Sequence, residues 1–349
     1  MTRAADYPGG RAGAVLTQIG LIGAGNISAT HARAIAGVVD ARLAAVYAPR
    51  LERARVLADP SGARACDTLD RLFDDDALDM VVVGTPSGLH GEHGAAAARR
   101  GVHVLVEKPI EITVARADAL VDEAHRAGAT LGVVFQDRFK PDVRALKAIV
   151  DSGALGSLSL VHAQVPWWRP PEYYRDSRWR GTWALDGGGA LINQAIHTVD
   201  LLLWLCGPVT RVVGKAATRF HRIEVEDTAV AILEFASGAL ATLEATTCAY
   251  PGRPRRIEIS GSTGTAILDG DRLVPATGQV ASDPPPQNVA SPVVSDVSAH
   301  RDVIVDFIHA IANRTEPCCG GRDARRSVQV VEAVYESSRR GRPVDIHAT

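Results

Sequence analysis

The sequence has little cysteine, few aromatic residues and no long apolar run. The cysteines are odd in number and widely scattered, and none belongs to a C-x-x-C pair of the kind that binds zinc or forms a redox dithiol; they are Cys66, Cys206, Cys248, Cys318 and Cys319. We therefore expect reduced thiols in a cytoplasmic protein. No segment approaches the roughly 18 apolar residues of a membrane helix, and the first ten residues lack the apolar core of a secretory signal. The sequence predicts neither membrane insertion nor secretion.

Charge of one sign is not in excess either. The 349 residues include 38 Lys and Arg against 40 Asp and Glu, a formal net charge of -2. Binding to a nucleic acid backbone requires clustered positive charge, so we expect no nucleic acid partner. A chain of 349 residues, 46% hydrophobic and 22% charged, should fold into two globular domains at roughly 150 residues per domain.

Between residues 15 and 138, short apolar runs alternate with amphipathic stretches that have helical periodicity. The runs are Leu16–Ile22, Ala41–Tyr47, Leu78–Val83, Val102–Val106 and Thr130–Phe135. This alternation predicts a doubly wound parallel sheet, that is, a Rossmann domain over residues 15–138. Residues 1–14, which are rich in Gly, Ala and Arg, are expected to form a loose tail.

From residue 139 to residue 349 the pattern changes to strands separated by turn residues. The strand-like runs are Leu158–Val165, Val209–Phe220, Thr228–Phe235, Leu240–Thr247, Arg256–Ser260 and Thr265–Leu268. They predict an open, mostly antiparallel sheet domain, interrupted by a helix over residues 190–205 and a Pro-rich loop at Ser282–Pro286. Helices between Val303 and Ser338 would be free to pack back on the first domain.

The loop after the first run carries a glycine pattern typical of dinucleotide binding. Gly23-Ala24-Gly25-Asn26-Ile27 joins the first strand to the first helix, and Ser28 occupies the place of the third glycine. Glycines permit a tight turn and close approach of a pyrophosphate to the helix N-terminus, where N–H groups favour an anion. We expect Gly23, Gly25, Asn26 and Ile27 to bind NAD(P)(H); the alternative is a purely structural turn.

The end of the second run indicates which nucleotide is preferred. NAD sites usually place Asp or Glu there to bind the ribose 2′-hydroxyl. This chain has Val46-Tyr47-Ala48-Pro49-Arg50, which lacks a carboxylate and supplies an arginine suited to a 2′-phosphate. NADP is therefore slightly favoured over NAD. Arg50 could instead be a solvated helix residue like Arg53 and Arg55.

A lysine follows the fourth predicted strand directly. Val104-Leu105-Val106-Glu107-Lys108-Pro109 places an acid, a base and a rigid turn at the carboxyl edge of the sheet, where ligands of such sheets bind. A lysine at a strand end is usually solvated and inert. Here Pro109 restricts the backbone and Glu107 could pair with the ammonium, so Lys108 is a candidate catalytic residue.

Polar residues interrupt the apolar stretch 190–205. Asn193, His197, Asp200 and Trp204 are spaced i, i+4, i+7 and i+11 and share one helix face, where an unpartnered polar group costs a few kcal/mol. One interpretation is a core histidine paired with Asp200. The other makes His197 the general base for oxidation of a secondary alcohol, oriented by Asp200, while Lys108 holds the reacting oxygen or relays its proton. Further ligands at metal-site spacings are lacking, so we expect no metal.

Between Pro166 and Trp183 lie six of the 17 aromatic residues, together with four arginines. Aromatic faces stack on sugars, and arginines bind carboxylates or phosphates. Trp168, Tyr174 and Trp179 are therefore candidate contacts for a sugar-like substrate, which could be anionic. The alternative is an oligomer interface, since interfaces are also rich in Trp, Tyr and Arg.

Together these motifs resemble the Gfo/Idh/MocA family (glucose-fructose oxidoreductase, inositol dehydrogenase, MocA). The resemblance rests on Gly23-Ala-Gly-Asn26, Thr85-Pro86-Ser87-x-x-His90, Glu107-Lys108-Pro109, Arg138-Phe139-x-Pro141 and Asn193-Gln194-x-x-His197. It covers nearly the whole chain, through Ser337-x-x-x-Gly341-Arg-Pro343-Val344. Many members have Asp four residues before the histidine, where this chain has Asn193.

The resemblance implies a cofactor domain and an open-sheet domain that often mediates homo-oligomerisation, as a dimer or tetramer. It implies hydride transfer between NAD(P) and a secondary alcohol of a sugar, cyclitol or nucleotide sugar. Lys108 and His197 would be catalytic; the cofactor would contact Thr85, Pro86, His90, Glu107 and Lys108; and the substrate would contact Arg138, Asn193 and His197. Two alternatives remain: a lyase, glycosidase or epimerase that retains its NAD, and a regulatory protein that binds cofactor without catalysis.

Overall fold

A computed structural model describes residues 16–74, 78–274 and 296–347 of the chain. The expected tail at residues 1–14 and the Pro-rich segment Ser282–Pro286 lie outside the described residues. Among the helices in the described ranges, none has the length and apolar character needed to span a bilayer.

The first half of the chain forms a six-stranded sheet in which every neighbouring pair is parallel. Its strands are β1 (Thr17–Ile22), β2 (Ala41–Tyr47), β3 (Arg64–Cys66), β4 (Met80–Val83), β5 (His103–Glu107) and β6 (Leu131–Val134). The order across the sheet is β3-β2-β1-β4-β5-β6. Strand order reverses between β1 and β4, which opens a crevice at their carboxyl ends.

Helices cover both faces of this sheet. They are α1 (Asn26–Ala36), α2 (Leu51–Ala58), α3 (Leu69–Phe73), α4 (His90–Ala98), α5 (Val114–Arg126) and α6 (Pro141–Asp151), the last of which leads into the second half. Thr68 and Thr113 start α3 and α5, because each side chain accepts a hydrogen bond from a first-turn N–H. Buried aliphatic residues fill β4 completely, as expected for a parallel strand covered on both faces.

The second half forms an eight-stranded sheet in which β7 and β10 are parallel and all other neighbours are antiparallel. Its strands are β7 (Leu158–Pro166), β8 (Val209–Ala217), β9 (Thr228–Phe235), β10 (Leu240–Thr246), β11 (Arg256–Gly261), β12 (Thr265–Asp269), β13 (Arg272–Val274) and β14 (Val344–Asp345). The order is β13-β12-β11-β7-β10-β9-β8-β14. The predicted fold class, a Rossmann domain followed by an open, mostly antiparallel sheet domain, is confirmed.

In the described residues of the second half, four further helices follow: α7 (Pro171–Arg175), α8 (Ile196–Cys206), α9 (Ser298–Asn313) and α10 (Gly321–Arg340). A π-helical turn at Ala190–Ala195 precedes α8, so the predicted helix over residues 190–205 is present but widened at its start. Helices α8 and α10 contact the second sheet, α9 packs on α1, and α10 packs on α5. The C-terminal helices thereby join the two sheets.

Candidate active site

The loop between β1 and α1 needs glycine at two positions that face each other. Gly23 has a φ of +114°, and a Cβ there would lie 2.7 Å from the Gly84 carbonyl oxygen. A Cβ on Gly84 would lie 2.9 Å from Ser28 Oγ. Ser28 is buried and its hydroxyl donates to the Gly84 carbonyl at 3.4 Å, so a serine fits at the third fingerprint position because a glycine lies opposite.

The N-terminus of α1 is open to a ligand. Gly25 precedes the helix, and among the described residues no side chain caps it and no atom would lie within 4 Å of a Cβ on Gly25. The unpaired first-turn N–H groups and the helix dipole suit the pyrophosphate of a dinucleotide, so the residues present fit NAD(P)(H). Asn26 and Ile27 form the first turn, and Arg50 is exposed at the start of α2.

His90, a predicted cofactor contact, is buried between the loops that follow β4 and β5. Its ring nitrogens contact the carbonyl oxygens of Pro109 at 2.7 Å and Thr85 at 3.0 Å, and the side chain is buried. Burial lowers the pKa of His90. The ring therefore ties together the loops that follow β4 and β5, with Pro86 in the first of them.

Glu107 pairs with a histidine that the sequence patterns did not single out. Its Oε1 contacts His31 Nε2 at 2.7 Å, and its Oε2 accepts the backbone N–H of Lys108 at 3.1 Å. Burial would raise the pKa of Glu107, but the hydrogen bond and charge interaction with His31 lower it to about 2. The expectation that Glu107 pairs with the Lys108 ammonium is wrong, because His31 on α1 occupies the carboxylate instead.

The Lys108 ammonium reaches across to the second half of the chain. Nζ donates to the backbone carbonyl of Asn193 at 2.8 Å, in the π-helical turn. Burial lowers the pKa of Lys108, while the negative charges of Glu107 and Asp186 oppose that shift. A buried amine with a lowered pKa is a better proton acceptor near neutral pH than a solvated one.

A hydrogen-bond network fixes the side chain of Asn193. Its amide nitrogen donates to Asp186, and its oxygen accepts from Gln194 Nε2 at 2.8 Å. The same Gln194 nitrogen donates to the Tyr173 hydroxyl at 2.8 Å, and Arg169 donates to Gln194 Oε1 at 2.7 Å. Burial raises the pKa of Asp186 to about 6, although its hydrogen bonds from Gly181 and Asn193 oppose the shift.

Glu226 anchors the turn on which Asn193 stands. Its carboxylate accepts the N–H groups of Gly189 at 3.0 Å and Leu191 at 2.8 Å, and the Tyr335 hydroxyl at 2.9 Å. A Cβ on Gly189 would lie 1.8 Å from the Glu226 carbonyl oxygen, so only glycine permits this approach. Close packing against Glu226 therefore requires a glycine at the end of the run that precedes the turn.

His197 lies one turn beyond Asn193 and lacks the partner expected for it. Its Nδ1 is buried, has no hydrogen-bond partner among the described residues, and lies 4.0 Å from Asp137 Oδ2. Burial lowers the pKa of His197 to about 3 despite the attraction of Asp137, so the ring is neutral at physiological pH. The Phe135 ring meets it edge-on with centroids 5.7 Å apart.

Asp200 does not orient His197, because Arg138 engages both of its carboxylate oxygens. Arg138 is only 2% exposed and also bonds the Cys318 carbonyl at 3.0 Å and Asp323 at 2.7 Å. The guanidinium of Arg138, a predicted substrate contact, thus has its partners inside the protein. Its ion pairs join the first half of the chain to α8 and α10.

The aromatic segment is divided between packing and the site. Tyr174, a predicted substrate contact, is buried and its hydroxyl donates to Thr247 at 3.1 Å. Trp168 packs against Phe220 and Tyr250, with centroids 5.3 and 5.4 Å away. Trp179 is half-buried beside the Arg180 guanidinium, 5.5 Å from the ring centroid.

Comparison with known proteins gives a family match for each half of the chain. Residues 17–135 match the model of the oxidoreductase family with an NAD-binding Rossmann fold, and residues 143–267 match the GFO/IDH/MocA C-terminal domain. The chain belongs to the Gfo/Idh/MocA oxidoreductase family. The resemblance inferred from the motifs is confirmed, and this member of the family is an oxidoreductase with an NAD-binding domain.

Among its relatives, the inositol 2-dehydrogenase of Rhizobium meliloti is 30% identical over 94% of this chain and 99% of that protein. The WlbA dehydrogenase of Bordetella pertussis, solved with NADH and UDP-GlcNAcA, is 32% identical with a TM-score of 0.85, covering 95% of this chain and 99% of that one. The WlbA enzyme of Chromobacterium violaceum, solved with the same two ligands, is 30% identical with a TM-score of 0.86, covering 99% and 100%.

Several residues of this Gfo/Idh/MocA site were not predicted from the sequence. His31 is 76 positions from Glu107, and Asp137 and Asp186 face their partners only through the fold. Asp186 stands directly before the glycine run, and a polar residue beside such a run is a usable signal. Among the described residues, no group of three or more His, Cys, Asp or Glu side chains is placed to hold a metal ion.

Proposed function

We propose that this chain is an NAD(P)-dependent dehydrogenase that oxidises a secondary alcohol of a sugar, cyclitol or nucleotide sugar to a ketone, or catalyses the reverse. The observation that carries the proposal is the buried Lys108 ammonium. It bonds Asn193 at 2.8 Å, one turn before His197, and it follows β5 at the sheet edge that also carries the glycine loop. The inositol and WlbA dehydrogenases named above support this substrate range.

The two catalytic candidates differ in their suitability for moving a proton. His197, with a pKa of about 3, is neutral and offers a ring nitrogen as a hydrogen-bond partner for the substrate hydroxyl. Lys108, with a pKa lowered by burial, is suited to exchange the hydroxyl proton. We therefore assign proton transfer to Lys108 and hydroxyl orientation to His197, with Asn193 as a neutral contact to a neighbouring hydroxyl.

A bound nicotinamide would supply the acceptor for the hydride that leaves the alcohol carbon. The hydroxyl proton passes to Lys108 Nζ in its deprotonated form, so that one C–H and one O–H bond of the alcohol break while a C=O bond and an N–H bond form. The glycine loop and the uncapped start of α1 bind the pyrophosphate, and Thr85 and Pro86 border the crevice. Exposed Arg50 at the start of α2 supports a slight preference for NADP.

A homo-oligomer is the second part of the proposal. The outer face of the second sheet leaves large aliphatic side chains exposed, with Leu160 40%, Val230 50%, Ile232 49% and Leu240 47% accessible. Exposed aliphatic side chains on one face of a sheet favour association with a second copy. Light scattering should give at least twice the monomer mass, and Ile232→Glu should reduce it; a wild-type monomer would contradict the proposal.

The enzymatic proposal is tested by following nicotinamide absorbance with pooled sugars, inositols and nucleotide sugars. NAD⁺ and NADP⁺ are supplied separately, and Lys108→Met is the control. Reduction by the wild type that the control lacks supports a turnover dehydrogenase. No change in absorbance from a protein that purifies with bound cofactor would instead favour chemistry in which NAD is retained. No change from a protein that purifies without cofactor would favour a regulatory role.

A further inference from the structure

Arg180 has one buried donor without an acceptor in the described part of the protein. Its guanidinium stacks on the Tyr173 ring at 4.2 Å from the centroid, and Nη1 donates to the Tyr173 carbonyl at 3.4 Å. Its Nε is buried, yet within residues 16–74, 78–274 and 296–347 it meets no acceptor. A buried charged donor without a partner costs free energy unless a ligand satisfies it.

The surroundings of Arg180 hold more positive than negative charge. Lys108 and Arg180 both act on Asp186, where each opposes the rise in its pKa. Arg169 is close enough to Arg180 for the two charges to repel, which helps burial to lower the pKa of Arg169. The Asp186 carboxylate already accepts from Gly181 and Asn193, and it forms no ion pair with Arg180 among the described residues.

The Tyr173 ring links Arg180 to the network around Asn193. The ring carries Arg180 on its face, and its hydroxyl accepts from Gln194, the neighbour of Asn193. Stacking on an aromatic face holds a guanidinium plane in place while leaving its in-plane donors free. The free Nε edge of such a plane is suited to a two-point contact with a planar or tetrahedral anion.

We propose that Arg180 binds an anionic group of the substrate, a carboxylate or a phosphate, and so makes this an enzyme for acidic sugar derivatives rather than neutral polyols. This inference rests on the proposed function for the location of the substrate. The anion satisfies the Nε donor and balances the positive charge of Arg169 and Arg180 when the site is filled.

The test is equilibrium binding to the NADH-loaded protein by calorimetry, measured with matched ligands. The panel pairs glucose with glucuronate and with glucose 6-phosphate, and UDP-glucose with UDP-glucuronate. These pairs separate a sugar carboxylate, a sugar phosphate and a nucleotide diphosphate as the source of the anion. Arg180→Gln removes the charge, Arg180→Lys keeps it without the planar fork, and exposed Arg178→Gln is the matched control.

We expect wild type and Arg178→Gln to bind one acidic member more tightly than its neutral counterpart. Arg180→Gln should weaken the binding of that acidic ligand by about 10- to 100-fold without affecting the binding of the neutral ligand. Arg180→Lys should recover only part of the lost affinity. Equal affinity within every pair, or failure of the whole panel to bind, overturns the inference. If the enzyme oxidises neutral sugars and Arg180→Gln does so at the same rate, the inference about Arg180 is rejected while the proposed dehydrogenase activity stands. If the protein binds acidic ligands selectively but oxidises none of them, the inference stands and the proposed dehydrogenase activity is rejected.

Discussion

Removing His31 should destabilise the protein by stranding the carboxylate of Glu107. Both side chains are buried, with His31 0% and Glu107 5% exposed, and they meet at 2.7 Å. The pKa of Glu107 falls from 4.5 to about 2, which at 1.36 kcal/mol per unit corresponds to about 3 kcal/mol. Breaking a buried pair by removing one partner costs roughly 3–5 kcal/mol, so His31→Ala should lose about 3 kcal/mol.

The pH dependence of this loss has a definite sign. A carboxyl group whose pKa is lowered by folding stabilises the native state above its unfolded pKa of about 4.3. That contribution disappears as the pH falls through the folded value of about 2. In His31→Ala, burial acts on Glu107 without the opposing histidine and raises the pKa of its carboxyl, so the variant recovers stability when that carboxyl protonates. The stability difference between wild type and His31→Ala should therefore be largest near neutral pH and should shrink as the pH falls.

The assay is urea unfolding followed by tryptophan fluorescence at several pH values, with exposed His125→Ala as the control. Adding Glu107→Gln to His31→Ala should restore stability, because a neutral amide leaves no buried carboxylate without a partner. Initial rates supply an independent readout, since Glu107 Oε2 also holds the backbone N–H of Lys108. Equal stability of His31→Ala and wild type, or a double variant less stable than His31→Ala, would refute the reasoning.

Three further predictions concern the cofactor and the proton. Gly84→Val should weaken NADH binding in a fluorescence titration, because its Cβ would lie 2.9 Å from Ser28 Oγ, and Ser28→Gly should relieve part of the loss; an unchanged Kd would contradict this. Arg50→Ala should raise the KM for NADP more than that for NAD, and equal changes would remove the basis for an NADP preference. Protonation of Asp186, whose pKa is about 6, should contribute to a fall of kcat/KM below about pH 6, and Asp186→Asn should remove that contribution while leaving the one that comes from protonation of Lys108; an identical pH profile in the variant would exclude Asp186 as a contributor.

Local patterns in the sequence predicted the elements well where they are long and regular. The runs Ala41–Tyr47 and Thr228–Phe235 coincide with β2 and β9, because the alternation or continuity of their apolar residues extends over seven or eight positions. Strands β3, β13 and β14 have only two or three residues, too few for a period to show, and were not predicted. These short strands form because each can pair with a longer neighbouring strand.

The site follows the same division between local and long-range information. The glycine loop and Lys108 are set by adjacent residues at strand ends, so their location could be predicted. The partners of those residues could not. Asp200 stands three positions after His197, yet Arg138, 62 positions away, takes its carboxylate because a buried guanidinium needs a counter-charge more than a neutral imidazole does. The same competition gives Glu107 to His31 rather than to Lys108.

The central claim is that Lys108 moves the proton while a secondary alcohol loses hydride. Stopped-flow absorbance with enzyme, stoichiometric NAD⁺ or NADP⁺ and the substrate selected from the panel tests it in a single turnover. We predict close to one reduced nicotinamide per site in the wild type, and a rate lower by roughly 10²- to 10⁴-fold in Lys108→Met with the NADH Kd unchanged. The same rate and amplitude in both proteins would contradict the account.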